Sequence, residues 1–157
     1  MPTRAKPKSP LQGVTWPTEP FLVATLPLPP GINGSYNTNH GAQFFSSAEL
    51  KQFKENALMV LAYSTDKAVV KNWHVIDAIK TSKHHIPLDF SIDFYFKTLW
   101  KRDIDGGIKA VQDVVFKYLD LNDNLVVRLP IEKWADRDNL RCEISVRVCT
   151  ERIGYDD

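Results

Sequence analysis

The sequence predicts an α/β (α+β) fold, a small mixed or antiparallel sheet with helices packed on one face. Three stretches carry that prediction. "LDFSIDFYFK" (88–97) alternates strictly, with Leu88, Phe90, Ile92, Phe94 and Phe96 on one side and Asp89, Ser91, Asp93, Tyr95 and Lys97 on the other. "LRCEISVRV" (140–148) repeats the pattern, with Leu140, Cys142, Ile144, Val146 and Val148 facing inward. A period of two with one apolar side is the mark of a half-buried strand. "SSAELKQFKENALMVLAY" (46–63) instead repeats its apolar residues at helical spacing. Such strands and helices bury their apolar sides by stacking as layers around one core.

In chain order, "MPTRAKPKSPLQGVTWPTEP" is rich in Pro, Lys and Ser, lacks the apolar core of a secretion signal, and reads as a flexible, weakly basic arm over 1–20. Trp16 is expected within that arm. The domain is expected over 21–150, with a short tail at 151–157. "FLVATLPLPP" opens it as a strand that its prolines end, because Pro cannot donate to a sheet ladder. "GINGSYNTNHGAQ" is a polar loop. The helix that follows is capped by Ser46 or Ser47 and buries Leu50, Phe53, Ala57, Leu58 and Leu61, with Lys51, Lys54 and Glu55 on its other side. "VVKNWHVIDAIK" is read as a second short helix, and "NLVVRLPIEK" as a short strand. Between the two long strands a third helix begins after Asp105, with Ile108, Val111 and Val115 as its stripe.

A chain of 157 residues with 43% hydrophobic and 25% charged residues fits one soluble domain. No apolar run approaches the roughly 20 residues of a membrane-spanning helix. Cys142 and Cys149 would point to opposite faces if they shared one strand, so they are not expected to pair, and a cytoplasmic location is the expectation. The net charge is only +1. Nucleic-acid binding would therefore need a local concentration of cations, such as Lys51, Lys54, Lys67, Lys71, Lys80, Lys83, Lys97, Lys101 and Arg102. On charge alone, a solvated surface is the simpler reading of those residues.

The chemistry concentrates in "KRDIDGGIKAVQDVV" (101–115). Asp103 and Asp105 are one residue apart, and Asp105 is an N-cap candidate. Lys109 and Asp113 then follow at four-residue steps, on the same helical face as Asp105. Carboxylates at this spacing can hold a hard divalent ion, which accepts one or two of them together with waters and a substrate phosphate. They can equally be an ordinary capped and charged helix face. Asp123, in "LDLNDNLVV", is a candidate third acid. His74, His84 and His85 read as polar surface residues rather than a zinc site, since adjacent side chains diverge and no cysteine is close in sequence. Trp73, Trp100 and Trp134 are either packing residues or stacking surfaces for bases, and Trp100 directly precedes the acidic stretch.

Four segments, "LPLPPGIN", "FFSSAELKQFKENA", "RDIDGGIKAVQDVV" and "LNDNLVVRL", occur in that order from about Leu26 to the last strand. The series resembles the RusA family of Holliday junction resolvases, whose members carry L-P-P-S-x-N, a serine-capped helix, R-D-x-D-N-x-x-K-x-x-x-D-A-L and a later D-D-x-Q-V. The resemblance implies a RusA-like fold and a homodimeric endonuclease that nicks four-way DNA junctions in pairs. Its cofactor would be Mg²⁺, or Mn²⁺ in its place. Residue by residue it implies Asp103, Asp105 and Asp123 as metal-binding catalytic acids, Lys109 as the catalytic lysine and Asp113 in support. Asn33 matches the motif asparagine on a loop that would approach DNA; His40, in the same loop, and Lys101 and Arg102 beside the acids are the other candidate DNA contacts. The chain departs from the pattern at Gly106, Asn122 and Leu125. Those departures leave an alternative: a catalytically weakened or inactive protein that binds branched DNA.

Overall fold

The computed structural model describes residues 15–31, 36–39, 43–46 and 48–153. Its framework is a six-stranded mixed sheet. Strand β1 (Leu22–Leu26) pairs antiparallel with the two-residue β4 (Val70–Lys71) on one side and with β8 (Arg141–Val148) on the other. β8 pairs antiparallel with β5 (Leu88–Phe96), whose far side is met by two short parallel strands, β6 (Val126–Arg128) and β7 (Ile131–Ala135). The expected single strand over 124–133 is thus two strands, broken at Leu129 and Pro130. Proline has no N–H for a ladder, but its carbonyl still accepts from the Ile92 N–H at 2.9 Å. A separate hairpin pairs β2 (Tyr36–Asn39) with β3 (Gln43–Ser46).

Three helices pack against the sheet: α1 (Ala48–Tyr63), α2 (Trp73–Thr81) and α3 (Ile108–Leu119). The α/β fold is therefore as the sequence predicts, and its sheet is of the mixed kind. The inward side of β5 is as expected, since Leu88, Phe90, Ile92, Phe94 and Phe96 are all buried, but Asp89 on the opposite side is buried as well. β8 follows from Cys142 to Val148, but Leu140 precedes the strand and lies exposed. α1 buries Leu50, Phe53, Ala57 and Leu61, and α3 buries Ala110, Val111, Val114, Val115, Phe116 and Leu119. Phe116 meets Phe90 edge-on at 5.5 Å between ring centroids, an arrangement that suits the ring quadrupoles. Each such side chain contributes about 1.5–3 kcal/mol when fully buried.

The second helix expected over residues 69–80 is present as α2 but begins only at Trp73, because Val70 and Lys71 form β4. Asn72 caps the helix, its side chain accepting from the Val75 N–H at 3.3 Å. Trp16, expected in a free arm, packs half-buried against the core, as does Ile153 near the other end. Cys142 and Cys149 are both buried and free; Cys149 lies just beyond β8, where strand parity no longer applies. Among the described residues, no helix is long and apolar enough to cross a membrane.

The order β5–α3–β6 positions the candidate site. β5 and β6 run parallel, so α3 must return the chain from the carboxyl end of β5 to its amino end. Residues before α3 and residues after it therefore lie at opposite ends of the sheet.

Candidate functional site

The connection from β5 to α3, residues 97–107, stands beyond the carboxyl end of β5. Lys101, Asp103, Ile104 and Asp105 are exposed there. A tight turn closes the loop, with the Gly106 N–H on the Asp103 carbonyl at 3.2 Å and the Ile108 N–H on the Asp105 carbonyl at 3.5 Å. α3 begins only at Ile108, and its N-cap is Gly107, which makes no side-chain cap. Asp105 is therefore not the N-cap the sequence suggested. The turn interposes Gly106 and Gly107 and holds Asp105 ahead of the helix.

Gly107 is where the turn meets the loop after β1. A Cβ placed there would come within 2.3 Å of Pro29 Cγ and 3.1 Å of Pro29 Cβ. Only glycine admits that approach, and Pro29 is buried as a result. The two segments are also joined by Arg102, whose Nη2 donates to the Pro29 carbonyl at 2.7 Å. Its guanidinium lies over the Phe96 ring, 4.7 Å from the centroid, a cation–π contact. Burial pushes the Arg102 pKa down from its ordinary value. The sequence placed Arg102 among the candidate DNA contacts; its side chain is half-buried and already has the Pro29 carbonyl and the Phe96 ring as partners.

Around this loop the surface is basic and aromatic. Trp100 is 86% exposed. Lys133, from β7, lies 5.9 Å from the centroid of the Trp100 ring and donates to the Arg102 carbonyl at 3.2 Å. In the first turn of α3, Lys109 is exposed and its Nζ stands 3.7 Å from Asp113 Oδ1. Lys54 of α1 approaches the other Asp113 oxygen, also at 3.7 Å. Asp113 thus lies between two ammonium groups, one from each packed helix. Exposed pairs of this kind contribute only about 0.3–0.5 kcal/mol each, so they orient side chains more than they stabilise the fold. Lys54 and Asp113 also line a cleft of about 180 Å³ between α1 and α3, with Glu55, Leu58, Val114 and Lys117.

Asp123 is not brought to this group. It opens a 3₁₀ turn, Asp123–Leu125, just before β6, whose Val126 is paired with Leu88 at the amino end of β5. α3 alone, at 12 residues, separates the two positions by about 18 Å. Asn122, beside it, caps that turn and lines a different cleft of about 440 Å³ with Lys80, His84, His85 and Asp120. Among the described residues, no group of three or more His, Cys, Asp and Glu side chains stands together as a metal-binding cluster. The three-acid site expected from the sequence is therefore not assembled within one chain. Asp103 and Asp105 remain as two exposed oxygen donors. That donor set suits Mg²⁺ shared with a substrate phosphate, which needs only one or two carboxylates, and not an all-protein cage.

Asn33 and His40 fall outside the described residues. Sequence reasoning missed Pro29 and Lys133 as parts of the loop's support and Lys54 as a partner of Asp113. Lys54 lies on the polar side of α1, and nothing local says that α3 packs beside it. No protein-family model and no curated protein matches the chain.

Proposed function

We propose that the protein is an endonuclease acting on branched DNA, with its cleavage site at the Asp103–Asp105 loop. One observation carries the reading. Two segments of the motif series that lie far apart in sequence, "LPLPPGIN" and "RDIDGGIKAVQDVV", are locked together through Pro29, Arg102 and Gly107 beneath an exposed acidic pair. A loop merely tolerated on the surface has no need of that support.

Asp103 and Asp105 would hold Mg²⁺, or Mn²⁺, jointly with a DNA phosphate. The ion, when bound, supplies a water of lowered pKa and neutralises charge on the attacked phosphate. The chain's own side chains do the rest. Lys109 presents an ammonium from the first turn of α3, two residues beyond the loop, where it offsets negative charge on a phosphodiester. Asp113 restrains Lys109 and is itself held by Lys54. Lys101 and Lys133 give phosphate contacts, and Trp100 offers a face on which an unpaired base at a branch point can stack. In a homodimer two such sites would serve paired nicks on a junction of near two-fold symmetry.

The second reading is a branched-DNA binder without cleavage, and the position of Asp123 favours it. One experiment separates the two. A synthetic four-way junction is incubated with the protein and EDTA, Mg²⁺ or Mn²⁺, and the Asp105→Asn variant is run beside it. The nuclease reading expects metal-dependent nicks that fall at least 100-fold in Asp105→Asn, with junction affinity within about threefold of the parent. Binding without nicks under every metal leaves the binder, and no preference for the junction over linear duplex removes both. Light scattering on the same sample reads the expected dimer.

A further inference from the structure

Arg102 is an uncommon surface arginine. It precedes the acidic pair directly, in a loop where Lys101, Asp103 and Asp105 are all exposed, yet its side chain is half-buried. An arginine that waits for DNA keeps its head in water, since desolvating a guanidinium costs free energy that only a partner recovers. Here Nη2 already has a partner, the Pro29 carbonyl at 2.7 Å. The aromatic ring of Phe96 lies under the guanidinium at 4.7 Å. Nε is buried without a hydrogen-bond acceptor, and a Cβ on Gly31 would stand 3.8 Å from it. The backbone of the same residue is fixed separately, its carbonyl accepting from Lys133 at 3.2 Å. Arg102 therefore ties three elements: the loop after β1, the end of β5 through Phe96, and β7 through Lys133.

We infer that Arg102 is a positioning residue: its guanidinium clasps the Pro29 loop to the Asp103–Asp105 loop, fixes where the two carboxylates stand, and does not reach a DNA phosphate. Its flat fork suits the task, because one nitrogen can bond a carbonyl while the plane rests on a ring. Lysine, a point charge on a flexible stem, cannot do both. Gly107 is the other half of the clasp, since it gives Pro29 the space from which its carbonyl faces Arg102.

The cleavage part of the test rests on the function proposed above; the exchange part does not. The variants are Arg102→Gln and Arg102→Lys, with Gly107→Ala as a second way to open the clasp and Lys101→Ala as the exposed comparator. Amide hydrogen exchange without DNA is expected to quicken at least tenfold at Leu28 and Gly31 and over residues 101–107 in both Arg102 variants and in Gly107→Ala, and to stay unchanged in Lys101→Ala. On junction DNA, the Arg102 variants should lower kcat by 10-fold or more while the slope of log affinity against log salt stays that of the parent. Lys101→Ala should reduce that slope by about 0.9, the value of one lost phosphate contact. If Arg102→Gln reduces the slope by about one and leaves exchange in both loops unchanged, Arg102 is a direct DNA contact and the inference is overturned. If Arg102→Gln does not fold, Arg102→Lys with unchanged exchange overturns it equally. A parent that neither binds nor cuts junctions refutes the proposed function and leaves the exchange result to decide the clasp.

Discussion

At the scale of single residues, the most consequential side chain away from the candidate site is Asp89. It lies on the side of β5 that alternation assigns to solvent, yet it is only 3% exposed. Its Oδ2 accepts from Arg128 Nε at 2.8 Å and pairs with Arg147 Nη2 at 2.7 Å, and Arg147 reaches on to Glu151 at 3.5 Å. One carboxylate thus joins β5, β6 and β8. Asp89→Asn removes its charge and leaves two guanidinium groups facing a neutral amide. The expected loss is about 3 kcal/mol, the lower end for a broken buried pair because both arginines keep some contact with water. Urea denaturation measures it, and Asp93→Asn, on the same side of the strand but half-exposed, should cost under about 1 kcal/mol. The sequence showed Asp89 as a polar position in an alternating strand. It could not show that two arginines, 39 and 58 residues onward by number, would close over it.

At the scale of elements, α3 carries most of what positions the site, and it ends under mild strain. Asp120 sits in the left-handed region at φ 53° and ψ 45°, its N–H directed to the Lys117 and Phe116 carbonyls. Only glycine adopts that conformation without steric cost. Asp120 is exposed, so Asp120→Gly is expected to raise stability by about 0.5–1 kcal/mol, read as a higher urea midpoint at unchanged slope. The stripe of α3 was legible because Val111 and Val115 repeat at four-residue spacing. Its start was not, because Asp105 satisfies the local rule for a cap. The rule lost to a tertiary contact: Pro29 occupies the hollow at Gly107, and the turn shifts the first helical residue to Ile108. The motif alone also carried no information on the path of the chain after α3. That path follows from parallel pairing of β6 with β5, which sends Asp123 to the far end of the sheet.

At the scale of the whole molecule, the fold class was readable because both long strands alternate cleanly and two helices carry broad apolar stripes. The division of the last edge into β6 and β7 was concealed, because "NLVVRLPIEK" reads as one apolar run until Pro130 is placed against Ile92. The core also makes stability depend on pH. Burial pushes the Cys142 thiol well above its ordinary value, and the Cys149 thiol shifts the same way from burial and its bond to Glu151. A thiol with a raised folded pKa binds more protons in the native state than in the unfolded one. Stability should therefore be flat below the unfolded pKa, about 8.5, and fall above it by up to about 1.4 kcal/mol per pH unit for Cys142. Denaturation between pH 7 and 10 checks this, and Cys142→Ala should flatten the decline. The sheet's two margins have a further effect. One is the two-residue β4, and the other is interrupted at Leu129 and Pro130. Among the described residues, neither margin offers a stranger's backbone a long, unbroken strand, which makes each a poor template for accretion into fibrils.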